Sequence, residues 1–131
     1  MAEHRTVTLI STLVATNSTT ASPIPASAPR RSGTLSKLRG DMEITALNGN
    51  IQIAIGVQTS DNADSWTDET STLIVTWGAA NGVAHSSAIV DFSSIAGAKQ
   101  WVRLVYYVKL STGSTLATAF VRGSVDLIPR T

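Results

Sequence analysis

The chain has 131 residues, with 10 Lys plus Arg against 9 Asp plus Glu and no Cys. That length suits one domain, which buries about two-thirds of its extended-chain surface on folding. A net charge of +1 supplies no basic field for nucleic acid or an anionic membrane, and the absence of Cys excludes disulfides, thiolate metal sites and Cys nucleophiles.

In chain order, Arg5 to Val14 alternates Val7, Leu9 and, with a slip at Ser11, Leu13, and is predicted as a first strand. This apolar run is interrupted by Thr and Ser and is too short and too polar for a signal h-region or a membrane span. Asn17 to Ser36 carries Pro23, Pro25 and Pro29 among Ser, Thr and Ala, which suits an extended, polyproline-like arm without regular ladder pairing. Residues 1–36 therefore read as a first strand plus an arm, and residues 37–131 as the core of a single domain.

Met42, Ile44 and Ala46 mark the next strand, and Ile51, Ile53, Ile55 and Val57 alternate with Gln52, Ala54, Gly56 and Gln58 in the one after it. Asn48-Gly49-Asn50 between them predicts a hairpin, since Asn and Gly tolerate the positive φ of a primed turn. Leu73 to Trp77 and Val83 to Val90 flank Gly78 to Gly82 and predict a second hairpin. Phe92 to Ala98, with Asp91 placed to cap, suits one helical turn. Trp101 to Leu110 and Leu116 to Leu127, joined at Ser111 to Ser114, are the last strands. About seven strands and almost no helix predict an all-β antiparallel sandwich, jelly-roll or Ig-like. In the strand from Trp101, Val102, Leu104, Tyr106 and Val108 form one face and Trp101, Arg103, Val105 and Tyr107 the other. A strand with large groups on both sides is either covered on its outer face or lines an interface.

Catalytic chemistry finds little support. Asp61, Asp64, Asp68 and Glu69 offer oxygen ligands for Ca²⁺ without the spacing of an EF-hand loop, and Asx turns are the competing reading. His85-Ser86-Ser87 places adjacent side chains on opposite faces of a strand, with no G-x-S-x-G elbow. With only His4 and His85 in the chain, no catalytic residue, metal ligand or cofactor site is assigned. The candidates for interaction are the basic residues Arg30, Arg31, Lys37 and Arg39, suited to anchoring on a negative surface, and, separately, the aromatic residues Trp77 and Tyr107. Trp66 and Trp101 are expected in the core and Trp77 exposed, where an indole could stack on a sugar ring.

Leu38 to Leu47 (LRGDMEITAL), the run I-x-I-x-I-x-V-Q-T-S-D from Ile51, S-W-T-D from Ser65, W-V-R-L-V-Y-Y-V from Trp101 and the closing strand Ser114 to Val125 together resemble a family of small β-sandwich proteins from tailed-phage virion gene clusters. In that family a strand ending Q-T-S-x-D-G leads to T-W-T-D, and a later strand reads R-Y-V-R-V-x-Y. The resemblance spans about Leu38 to Leu127. This chain departs from it with Asn62-Ala63 where the family often has Gly, and with Lys99-Gln100-Trp101 where the later strand would open with Arg and Tyr.

The resemblance implies a virion structural protein made in a host bacterial cytoplasm. Its expected role is capsid decoration, with the major capsid protein or other virion proteins as partners and the chain as a homo-oligomer, for example a trimer at a local three-fold. A tail or baseplate component, contacting host glycans through Trp77, is the alternative.

Overall fold

The computed structural model describes residues 5–69, 73–80, 83–95, 99–111 and 115–130. Among them run β1 (Arg5–Thr16), β2 (Ser22–Pro25), β3 (Arg30–Arg31), β4 (Leu35–Asn48), β5 (Ile51–Ser60), β6 (Thr67–Asp68), β7 (Val75–Ala80), β8 (Val83–Asp91), β9 (Trp101–Leu110) and β10 (Ala117–Pro129). They form two antiparallel sheets: sheet A in the order β1-β10-β4-β8, and sheet B in the order β2-β9-β5-β6, with β3 also on β9 and β7 also on β5. Nearly every connection between long strands crosses from one sheet to the other. That crossing pattern is a jelly roll and decides against the Ig-like alternative.

The alternation read from the sequence explains the layers. Leu38, Met42 and Ile44 of β4 and Val121, Val125 and Leu127 of β10 face Ile51, Ile53, Ile55 and Val57 of β5 and Val102 and Leu104 of β9 in one core cluster. Each such side chain stabilises the fold by about 1.5–3 kcal/mol through area removed from water. The irregularity in β1 falls between Thr8 and Ile10, slightly earlier than the slip expected at Ser11, and buries both Leu9 and Ile10.

Three local expectations are corrected. Asn48-Gly49 is not a hairpin turn: β4 pairs with β10 and β8, β5 with β9, β7 and β6, so the turn is an arch between the sheets. Gly49 alone there has a positive φ, +67°, whereas a primed type I′ hairpin needs two such residues. Likewise β7 and β8 lie in different sheets and form no hairpin; residues 81 and 82 of that turn lie outside the described residues. Asp91 makes no side-chain cap. Instead the Ser94 hydroxyl donates to the Asp91 carbonyl over a 3-10 turn, Phe92–Ser94, and residues 96–98 lie outside the description.

The Pro-rich segment is extended, as expected, but it does take ladder pairing, on the edge of sheet B. Ala26 N–H donates to the Leu104 carbonyl at 2.9 Å, and β2 pairs Ile24 with Tyr106. By alternation the nitrogens of Pro23 and Pro25 then point away from β9, the one side on which a strand tolerates proline.

Candidate functional site: the outer faces of the two sheets

The outer face of sheet B carries the odd-numbered residues of β9. Val105 and Tyr107 are buried there, forming with Ala54, Leu73, Trp77 and Ala21 a second apolar cluster. The two-faced character of β9 thus has its cause in part in the chain itself: Leu73 and Trp77 pack over this face. The phenol of Tyr107 donates to Asp68 at 3.2 Å, Gln58 Nε2 donates to the same carboxylate oxygen at 2.8 Å, and Arg103 Nε donates to Gln58 Oε1 at 2.7 Å. Burial raises the Tyr107 phenol above its ordinary range, and the Asp68 charge and hydrogen bond push it further the same way.

All three tryptophans sit half-buried on this side, each under a cation. Arg103 lies 4.3 Å from the Trp66 ring, Arg31 4.3 Å from Trp101 and Lys109 4.2 Å from Trp77. Trp66 and Trp101 are therefore not core residues. Trp101 follows the parity of Arg103 and Tyr107, and Trp66 returns from the acidic turn onto the same face. Trp77 is not openly exposed either: its ring centroid is 6.0 Å from that of Tyr107, with Lys109 over the indole. Each cation–π pair contributes about 0.5–1 kcal/mol at a partly exposed site.

The acidic stretch is a built turn. Asn62 Oδ1 accepts from the backbone of Asp64 and Ser65, both at 2.9 Å, and Ser60 Oγ accepts from Asn62 and Ala63. Asp68 and Glu69 diverge, the latter accepting from Thr59 at 2.7 Å. Among the described residues no cluster of His, Asp and Glu could hold a metal ion.

The four basic candidates do not form one patch. Arg30 and Arg31 lie on the edge of sheet B, pointing to opposite faces of it. Arg31 also donates to Gln100 at 3.0 Å. Lys37 and Arg39 lie two residues apart on the outer face of sheet A, with Lys37 4.0 Å from Asp91. Their closeness in sequence brought them together on paper; the crossing from β3 to β4 takes them to different sheets. Trp77 and Tyr107, by contrast, are in contact.

Sheet A was not singled out from the sequence, and its outer face divides along its length. At the end near the Gly49 arch, the register aligns Leu13 with Phe120, Phe120 with Thr45 and Thr45 with Val83, one row across all four strands. Leu13 is 58% exposed, Phe120 40% and Val83 73%, with Leu47 (62%) and Leu116 (50%) at the same end. Exposed apolar side chains gathered in one place are a feature that contact surfaces share. A signal was present in isolated apolar residues on otherwise polar strand faces, but only the register shows that they share a row.

Beyond the row the face turns polar around a concavity of about 420 Å³ lined by Asp41, Glu43, His85 and Arg122. His85 Nε2 contacts Asp41 at 2.5 Å, which is the base-and-orienter half of a hydrolytic triad. No hydroxyl among the described residues is hydrogen-bonded to His85, and both side chains are at least half exposed. His4 lies outside the described residues. Among the described residues no helix is long and apolar enough to cross a membrane.

No protein-family model matches this sequence, and no curated protein matches it. Solved structures do match its fold. One is the structure of infectious bursal disease virus, Gx strain, at TM-score 0.56 and 12% identity, covering 95% of this chain and 31% of that one. Another is the VP2 subviral particle of the same virus, at TM-score 0.58 and 13% identity, covering 97% and 32%. The Gt strain structure gives TM-score 0.58 at 12% identity, covering 97% and 33%. The chain thus spans about a third of the length of the viral chains it matches. At such identities the likeness is one of fold: this β-sandwich has the architecture of a domain in those virus-particle structures.

Proposed function

We propose that this protein is a non-enzymatic structural subunit of a virus particle, and more specifically a decoration protein that docks on the head lattice of a tailed phage as a homo-oligomer. The jelly-roll architecture shared with virus-particle chains supports the first part, and the tailed-phage resemblance of Leu38 to Leu127 supports the second. The single observation that carries the docking role is the exposed row Leu13–Phe120–Thr45–Val83, a non-catalytic surface with the character of a buried contact.

Docking through this row leaves the outer face of sheet B free. On that face a glycan could stack on Trp77 only by displacing Lys109, which weakens the tail or baseplate alternative. The Pro-rich segment is a poor target for deletion, because removing it would strip β2 and β3 from β9 and damage the fold along with any contact.

The test is to locate the subunit in intact particles by labelling and imaging. Copies on the head surface in a ratio set by lattice symmetry are expected. Density confined to the tail or baseplate would favour the alternative, and absence from particles would overturn both.

A further inference from the structure

The open edge of the sandwich, at the end opposite the apolar row, carries two inward-facing arginines. Arg30 of β3 pairs with Val102, a core position, so its side chain runs between the sheets. Its Nε is buried and has no hydrogen-bond partner. Arg5 of β1 pairs with Leu127, also a core position, so it stands at the inward register of the facing edge strand. The two sheets thus direct one guanidinium each toward the same mouth. Burial lowers the Arg30 guanidinium from its ordinary value and the charge of Arg5 lowers it further, so the like charges are close enough to repel.

Among the described residues, the acidic side chains nearest along these strands are directed to other partners. Asp126, next along β10 from Leu127, is of outward parity and accepts from Thr6 at 2.7 Å, and Asp91 lies toward Lys37 on the outer face of sheet A. A buried guanidinium N–H without an acceptor is costly, and the planar fork of arginine matches two oxygens of one anion. We propose that this mouth is an oxyanion-binding site in which Arg30 and Arg5 hold one carboxylate or phosphate group between them. The site lies far along the sheet from the apolar row and does not depend on the docking role proposed above.

The test follows the arginine Nε–H signals of the full chain by NMR during titration with acetate, and separately with inorganic phosphate, at constant ionic strength. The Arg30 signal, identified by its loss in Arg30→Lys, should shift saturably. Arg5→Gln should weaken that response about tenfold or more, as expected for losing a charged hydrogen-bond donor, while Arg39→Gln on the outer face of sheet A should leave it unchanged. Arg5 is exposed, so Arg5→Gln gives a reading even if the Arg30 variant fails to fold. A stronger response to acetate assigns the site to an acidic side chain of a neighbouring protein subunit; a stronger response to phosphate assigns it to a phosphate group. No saturable shift with either anion, or one equal in Arg5→Gln, overturns the site.

Discussion

Tyr107 and Asp68 are joined by a hydrogen bond of 3.2 Å across the outer face of sheet B, on a phenol that Leu73 and Trp77 shield from water. Burial and the adjacent carboxylate both disfavour the phenolate. The unfolded phenol ionises near pH ~10. The folded one keeps its proton to higher pH, so in that window the native state binds more protons than the unfolded state. This contribution to stability is therefore fully present below pH ~10 and is lost as pH rises toward the folded value. Absorbance titration at 295 nm should show a late component that Tyr107→Phe removes; if the component it removes titrates near pH ~10, the shielding is wrong.

Ala63 sits in the acidic turn with φ at 60°, a left-handed conformation that costs a residue with a Cβ about 1–2 kcal/mol. It is also a position where the resembling family often has Gly. Ala63→Gly should stabilise the protein by about 0.5–1 kcal/mol, part of the relief being offset by the greater freedom of unfolded Gly. Asn62→Ala should destabilise it by about 1–2 kcal/mol through loss of the acceptor for Asp64 and Ser65. Urea unfolding midpoints at unchanged slope measure both. A destabilised Ala63→Gly would mean that the turn is held otherwise.

Gly40 of β4 packs directly against Ile74 and Val75 at the start of β7. A Cβ there would collide with Val75 Cγ2 and come within 2.8 Å of Ile74 Cγ2, both buried side chains. Neither can move into solvent. Gly40→Ala should cost about 1–3 kcal/mol by overpacking, even though Ala is the better strand residue. Equal or higher stability in chemical denaturation would show that the β7 segment yields.

How far the sequence carried these features depended on the range of the interaction. Period-two alternation in Ile51 to Val57 and in Trp101 to Val108 revealed the strands and their core faces, because parity is a local property. Pairing was not legible. Asn48-Gly49 looks like a hairpin locally, yet its partners are decided by β9 and β10, some 50 to 80 residues away. The tryptophans misled for a related reason: hydrophobicity suggested the core, while parity and the cations Arg31, Arg103 and Lys109 decided for the outer face. Arg5 and Leu127, at opposite ends of the chain, meet only through the β1–β10 ladder. No window of sequence contains that meeting, or the apolar row it helps to align.

Leu13 and Phe120 face each other in that row and are 58% and 40% exposed. Replacing both by Ser removes little that the fold itself uses, so thermal stability should stay within about 1 kcal/mol. If the row docks on a particle lattice, the same substitution forfeits the burial of two large apolar side chains, about 1.5–3 kcal/mol each. Occupancy on purified heads should then fall by at least about tenfold at limiting protein. A matched pair of changes on the polar part of the same sheet, Ser11→Ala with Ser124→Ala, should leave occupancy near the parent value. Loss of binding in the control, or its retention in Leu13→Ser with Phe120→Ser, would move the contact away from this end of sheet A. A large drop in melting temperature in the Leu13/Phe120 variant would instead show that the row supports the fold, and the binding comparison would then pass to Val83→Ser, at the far edge of the row and 73% exposed.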